Sequence, residues 1–192
     1  MSRVGWRTLV ALALLSLPAS AAAGARWGEM SGHLSVGYGT LVTGVDEVPG
    51  GSISMAAGFD LPVGPALRAG FEVGYDLLGS RTVQEGSYFA SVDYSAFQAA
   101  ALLHWLPARG PVRRVSLGPA LVGAHADLSV TSGGAAFSYL AVQQTAGGVA
   151  AQVTLMPAGP APVRLGLELG ARTAFLAGDD WTVLSARATV HY

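Results

Sequence analysis

The stretch WTVLSARATVHY, residues 181–192, decides the fold by its alternation. Counting back from the last residue, Tyr192, Val190, Ala188, Ala186 and Leu184 share one side of an extended chain. His191, Thr189, Arg187, Ser185 and Val183 share the other. A β-strand sends successive side chains to opposite faces, so the stretch predicts a strand with one apolar and one mostly polar face. Residues 67–77 carry the same code more sharply. Leu67, Ala69, Phe71, Val73, Tyr75 and Leu77 fall on one face, and Arg68, Gly70, Glu72, Gly74 and Asp76 on the other. Every charge is on one side, which excludes a helix, and the length matches the ~9–11 residues of a tilted membrane-crossing strand.

Working outward, the period-2 pattern recurs along the chain and predicts eight strands. The first covers about residues 30–41, with Leu34, Val36 and Tyr38 opposite His33, Ser35, Gly37 and Gly39. The second, 51–61, sets Ile53, Met55, Phe59 and Leu61 against Ser52, Ser54, Gly58 and Asp60. The fourth, 88–106, places Phe97, Ala99, Ala101, Leu103 and Trp105 outward with Gln98 and His104 inward; Val92 and Tyr94 break parity with Phe97, which predicts a bulge near Ser95 or Ala96. The fifth begins with Arg114, Ser116 and Gly118 inward, and beyond Pro119 its parity leaves His125 and Asp127 unassigned. The sixth, 139–156, opposes Gln144, Gly148, Gln152 and Thr154 to Val149, Ala151, Val153 and Leu155. In the seventh, 163–175, Val163, Leu165, Leu167 and Leu169 face out and Arg164, Gly166, Glu168, Gly170 and Arg172 face in.

The connectors alternate too. Those at 62–65, 107–111 and 157–162 are short and Pro-rich, whereas 42–50, 79–87 and 131–138 read as longer polar loops and 177–180 as a short one. Short periplasmic turns alternating with longer outer loops mark transmembrane barrels of even strand number, and this puts both mature termini in the periplasm. Trp27, Trp105 and Tyr192 then gather at one membrane interface, and Tyr75, Tyr88, Tyr139 and Trp181 at the other. The predicted fold is all-β: an eight-stranded antiparallel up-and-down transmembrane β-barrel over residues 27–192.

Composition supports this reading. Arg3 and Arg7 precede an apolar run from Leu9 to Leu17 and a cluster of small residues with A-x-A-like sites at Ala23 and Ala25. This predicts an exported chain with a signal peptide over residues 1–23, cleavage at 25 being the variant. There is no Cys, which removes disulfides, thiol catalysis and thiolate metal sites. Lys and Asn are also absent, so all 11 basic residues are Arg. Charged residues make up 12% of the chain and hydrophobic residues 51%. The slight negative charge gives no nucleic-acid footprint. A soluble eight-stranded barrel would alternate as well, with its polar face in water. Here that face would be mostly Gly, Ser and Ala without Lys, unlike a solvated surface. The same small residues suit a narrow lumen that must house long Arg and Glu side chains.

With the signal peptide, eight amphipathic strands, the Gly-rich VSLGPALVGAH (115–125) and the terminal LSARATVHY in hand, the chain resembles the small bacterial outer-membrane β-barrel family, OmpA/OmpX-like or OmpW-like. The resemblance implies a Gram-negative outer-membrane location with no appended periplasmic domain. It also implies recognition of the C-terminal strand by the barrel-assembly machinery, and contact with outer-membrane lipids and lipopolysaccharide. A monomer is expected, with no cofactor, metal or nucleic acid.

The inward charges Arg68, Glu72, Asp76, Arg164, Glu168, Arg172 and Arg187 are expected to form a lumen ion-pair network, with Arg187 near Glu168 and Arg172, and Asp60 near Arg68. Buried charges are tolerated only when paired. The expected function is a structural or surface-interaction role without catalysis. The alternative is a narrow channel for small or apolar solutes. A remote one is lipid A acyl modification, prompted by His33 and Ser35, which faintly resemble the lipid A deacylase site. His104, His125 and His191 show no metal-ligand spacing. Asp46, Glu47, Glu85, Asp179 and Asp180 make an acidic outer rim, and Arg109, Arg113 and Arg114 cluster at a short turn where they meet headgroups or snorkel.

Overall fold

The computed structural model describes residues 29–43, 51–86, 88–132, 135–157, 163–177 and 180–192. The expected signal peptide, Trp27 and the loop acids Asp46, Glu47 and Asp179 lie outside them. The strands are β1 (Ser31–Thr43), β2 (Ser52–Pro62), β3 (Leu67–Glu85), β4 (Tyr88–Trp105), β5 (Val112–Ser132), β6 (Ala135–Leu155), β7 (Arg164–Ala174) and β8 (Trp181–His191). Each pairs antiparallel with its sequence neighbour, and β8 returns to β1 to close the ring. Closure runs from His33 opposite His191 to Thr43 opposite Trp181. In hydrocarbon a closed ring is what satisfies every backbone N–H and C=O.

The faces are inverted relative to a soluble protein. Leu34, Val36, Phe71, Leu165, Leu167, Leu169 and Leu184 are exposed on the outer wall, whereas Glu72, Glu168, Arg114 and Arg187 are buried inside. An apolar belt outside and charges inside is the arrangement of a barrel whose solvent is lipid.

Three expectations change. β4 carries no bulge at Ser95 or Ala96, because its register with β5 runs unbroken from Tyr88–Ser132 to Ala100–Ala120. Tyr94 stays on the inward parity, since the lumen at that height is lined by apolar groups and accepts an aromatic ring. The irregularity lies on the partner strand instead, between Leu77 and Ser80, where Gly79 takes φ 87°. β5 likewise keeps parity through Pro119, with Ala120, Val122, Ala124 and Ala126 buried and His125 and Asp127 on the outer face. Finally, residues 79–87 and 131–138 are not mainly loops. β3 continues to Glu85 and turns at Gly86 (φ 59°), while β5 and β6 pair out to Ser132 and Ala135. Thr82, Val83, Thr131 and Phe137 are strand formers, and continued pairing with the neighbour outweighs the polarity on which the loops were predicted.

Candidate functional site: the lumen and its two ends

The inward face has two levels. Towards the end where β3 to β6 are longest, Leu41, Leu78, Ala96, Val122, Ala174, Leu176 and Val183 form a buried apolar layer. Tyr94 and Trp181 pack on it edge to face, with ring centroids 5.9 Å apart. Below it lies a charged level. Glu72 accepts from Gln152 Nε2 at 2.7 Å, meets His33 Nε2 at 3.1 Å and lies 3.4 Å from Arg187 Nη2 and 3.6 Å from Arg172 Nη2. Arg187 also donates to Glu168, its cross-strand partner. Glu168 accepts from Arg114 at 3.3 Å, and Arg114 donates to Asp60 at 3.3 Å. Arg68 pairs with Asp60 at the rim, and Arg172 donates to Asp76 at 3.1 Å while Ser54 supplies Asp76 with a second donor. Asp60, Glu72, Asp76 and Glu168 thus face Arg68, Arg114, Arg172 and Arg187, a charge-balanced chain that runs through β2, β3, β5, β7 and β8.

Close backbone spacing makes room for this level. A Cβ added at Gly58 would come within 2.5 Å of His33 Cε1 and 2.7 Å of Phe71 O. One added at Gly70 would overlap His104 Nε2 and lie 2.8 Å from Phe59 O. His104 uses the space to bond Ser116 Oγ through Nδ1 at 2.7 Å.

The expected site residues distribute as follows. Glu72, Asp76, Glu168, Arg172 and Arg187 meet inside the barrel, and Arg68 joins them through Asp60. Arg172 reaches Asp76 and Glu72 across the lumen, so Arg187 and Arg172 share the carboxylate of Glu72 and do not pair with each other. Arg164 is exposed at the short-connector end and takes no part, because the first residue of β7 lies beyond the level of the carboxylates. Trp105 and Tyr192 are exposed on the outer wall at that same end. Trp181 is on the inward parity of β8 with Val183, so it caps the lumen and does not contact lipid. Tyr75 faces outward as expected, while Tyr88 sits at the tip of the β3–β4 hairpin. Glu85 is exposed near that tip, and Asp180 is half-buried.

Sequence reading placed Arg114 both inward and at a headgroup-facing turn; it is 1% exposed and belongs to the lumen. Its shared parity with Ser116 and Gly118 is the signal that settles the choice. His33, Glu72 and Glu168 also offer ligand atoms within 4.8 Å of one another, a proximity that no sequence spacing announces. The Arg187 guanidinium already contacts both carboxylates of that trio. Ser35 and His33 are buried, with Ser35 Oγ directed at Ala56 O.

The barrel is similar to Ail, the attachment invasion locus protein of Yersinia pestis, solved with the heparin analogue sucrose octasulfate, at 13% identity and TM-score 0.52 over 85% of this chain and 99% of Ail. It is also similar to Neisserial surface protein A, at 14% identity and TM-score 0.47 over 84% of this chain and 95% of that protein. The chain has the fold of the small outer-membrane β-barrels. No protein-family model matches it, and no curated protein does. At these identities the likeness speaks for the fold, and the chemistry must come from the residues.

Proposed function

We propose that this chain is an integral outer-membrane barrel with a closed lumen that works at its surface, through the sheet carried beyond the ring by β3, β4, β5 and β6. The observation that carries the reading is strand length. These four strands have 19, 18, 21 and 21 residues, against 13, 11, 11 and 11 for β1, β2, β7 and β8. Eleven residues already cross a bilayer when tilted, so the surplus runs roughly 23–33 Å along the strands at ~3.3 Å per residue. The short connectors then lie in the periplasm and the projecting sheet lies outside the cell.

Among the described residues, the projecting sheet has open edges. β2 pairs with β3 only as far as Asp76, and β7 pairs with β6 only from Gly148. Among the described residues, the outer parts of β3 and β6 therefore have a neighbour on one side alone. The β6 edge, AAFSYLAVQQTAG (135–147), carries neither charge nor Pro, the usual means of keeping edges from pairing. Such an edge suits an extended segment of another protein that adds as a further strand. The lumen argues for a closed barrel, because an apolar layer covers a paired ionic one. His33 and Ser35 are sealed inside the wall, which leaves acyl chemistry without access to substrate.

The test compares cells that display the chain with cells that display a trimmed form. In the trimmed form Ser80 is joined to Asp93, and Asp127 to Leu140, each through a two-residue turn. Adhesion to surfaces coated with serum or matrix proteins is expected to disappear while the barrel still shifts on a gel when boiled. Equal adhesion by both forms overturns the reading.

A further inference from the structure

At the opposite end of the barrel from the projecting sheet, a cavity of about 260 Å³ opens at the mouth of the lumen, lined from β1, β2, β3, β5, β7 and β8 and from the connectors after β4 and β6. We propose that it is a phosphate-binding site, filled by the phosphodiester of an anionic phospholipid headgroup in the adjoining leaflet. The lipid source rests on the membrane reading of the barrel; the phosphate chemistry does not.

Four guanidinium groups line the cavity, those of Arg68, Arg113, Arg114 and Arg164, against one acidic side chain, Asp60. Asp60 is taken up by Arg68 and Arg114, and Arg114 is further engaged by Glu168. Arg113 and Arg164 have no acidic partner among the described residues. Residues 1–28 and 158–162, outside the described residues, contain no Asp or Glu in their sequence, nor do the turns 63–66 and 106–111. The other acidic side chain on this side among the described residues, Glu29, lines the neighbouring cavity beside Arg68, to which its backbone carbonyl is bonded. The cavity is therefore an arginine-lined recess with two cations that have no acidic partner among the described residues.

A local irregularity builds it. Consecutive residues of a strand face opposite ways, so Arg113 and Arg114 should not line one space. The β5–β6 register, however, passes from Val112–Leu155 directly to Arg114–Thr154, which leaves Arg113 as an extra, bulged residue. Bulges re-aim side chains, and this one turns Arg113 into the cavity above the buried Arg114. Planar guanidinium forks match phosphate oxygens two at a time and are the preferred partners of that anion. Leu106 and Met156 supply an apolar side to the same recess. Trp105, exposed next to Leu106, marks the level at which headgroups meet acyl chains. A phosphate with glycerol and ester carbons attached satisfies both sides, which a bare anion does not.

The test uses the refolded full-length barrel and the variant Arg113→Gln/Arg164→Gln, each checked for the gel shift on boiling. Native mass spectrometry after reconstitution with phosphatidylglycerol and phosphatidylcholine measures retained lipid, and calorimetric titration in zwitterionic detergent measures binding of inorganic phosphate. Wild type should retain phosphatidylglycerol over phosphatidylcholine, and the variant should lose about tenfold or more of that preference. Arg113→Lys/Arg164→Lys should keep part of it. Saturable phosphate binding that the Gln variant loses, without lipid preference, supports the site with free phosphate as its ligand and rejects the headgroup. Wild type and a folded Gln variant that behave alike in both arms overturn the proposal.

Discussion

Replacing Arg187 with Met tests whether the lumen is held by its charges or only filled by them. Arg187 is fully buried and its Nη2 serves two carboxylates, Glu168 and Glu72. In Arg187→Met, Glu72 keeps Gln152, His33 and Arg172, and Glu168 keeps Arg114 at 3.3 Å. The balanced set then has one carboxylate too many inside a wall that excludes water. Breaking a buried pair by removing one partner costs about 3–5 kcal/mol. The retained donors place this case near the lower end, and protonation of one carboxyl limits it further. Glu168→Gln should cost less, since Arg187 keeps Glu72 and Arg114 keeps Asp60. The double variant restores neutrality, so its loss should fall short of the sum of the two by about 0.5–3 kcal/mol. The assay is urea unfolding of the barrel in lipid vesicles by tryptophan fluorescence, with folding and unfolding limbs required to coincide. An Arg187→Met barrel within about 0.5 kcal/mol of wild type, the range of ordinary surface substitutions, would refute the reasoning. Strict additivity in the double variant would refute the coupling.

Two further outcomes follow from the interior. Gly70→Ala should lower unfolding stability by about 1–3 kcal/mol, because the new methyl overpacks against His104 and Phe59 O; Gly64→Ala, whose Cβ would meet only Leu67 Cβ at 3.7 Å, should not move the urea midpoint. In planar bilayers the refolded barrel should show no conductance steps, and neither Glu168→Gln nor Arg172→Gln alone should create them, because the apolar layer above remains intact. Reproducible steps whose size changes with either substitution would make the lumen a pathway.

The closed eight-stranded barrel was legible because period 2 is local: each of β3, β7 and β8 states its two faces in its own residues. Pairings across one hairpin, Glu168 with Arg187 and Asp60 with Arg68, could be counted from the turn. Contacts across the lumen could not. Nothing in the spacing of Asp76 and Arg172, or of Glu72 and Gln152, says that strands far apart in sequence point these side chains at one another; that depends on stagger, a property of the whole ring. Trp181 was misread because an aromatic at a strand end suggests an interface, while its parity with Val183 pointed inward. Residues 79–87 and 131–138 read as loops because Gly, Ser, Thr and Gln carry little apolar signal, although two neighbouring strands suffice to hold each other extended.

These two misreadings have a common physical root, and it bears on function. Parity remains strict along β4 and β5, but what the inward face meets changes with height: charges and small residues near the short connectors, then Leu41, Leu78, Val122 and Val183, and beyond them the exposed ends of the projecting strands. A polar lining along the whole length would suit a path for ions. Here the lining turns apolar at the level where the sheet begins to project, so the closed end of the lumen is also the base of the projecting strands. Trp181 and Tyr94 sit at that junction, one on the closing strand and one on a strand that projects. The packing that seals the barrel thereby fixes the root of the outer sheet, and under the function proposed above a rigid root lowers the entropic cost of adding a partner's strand.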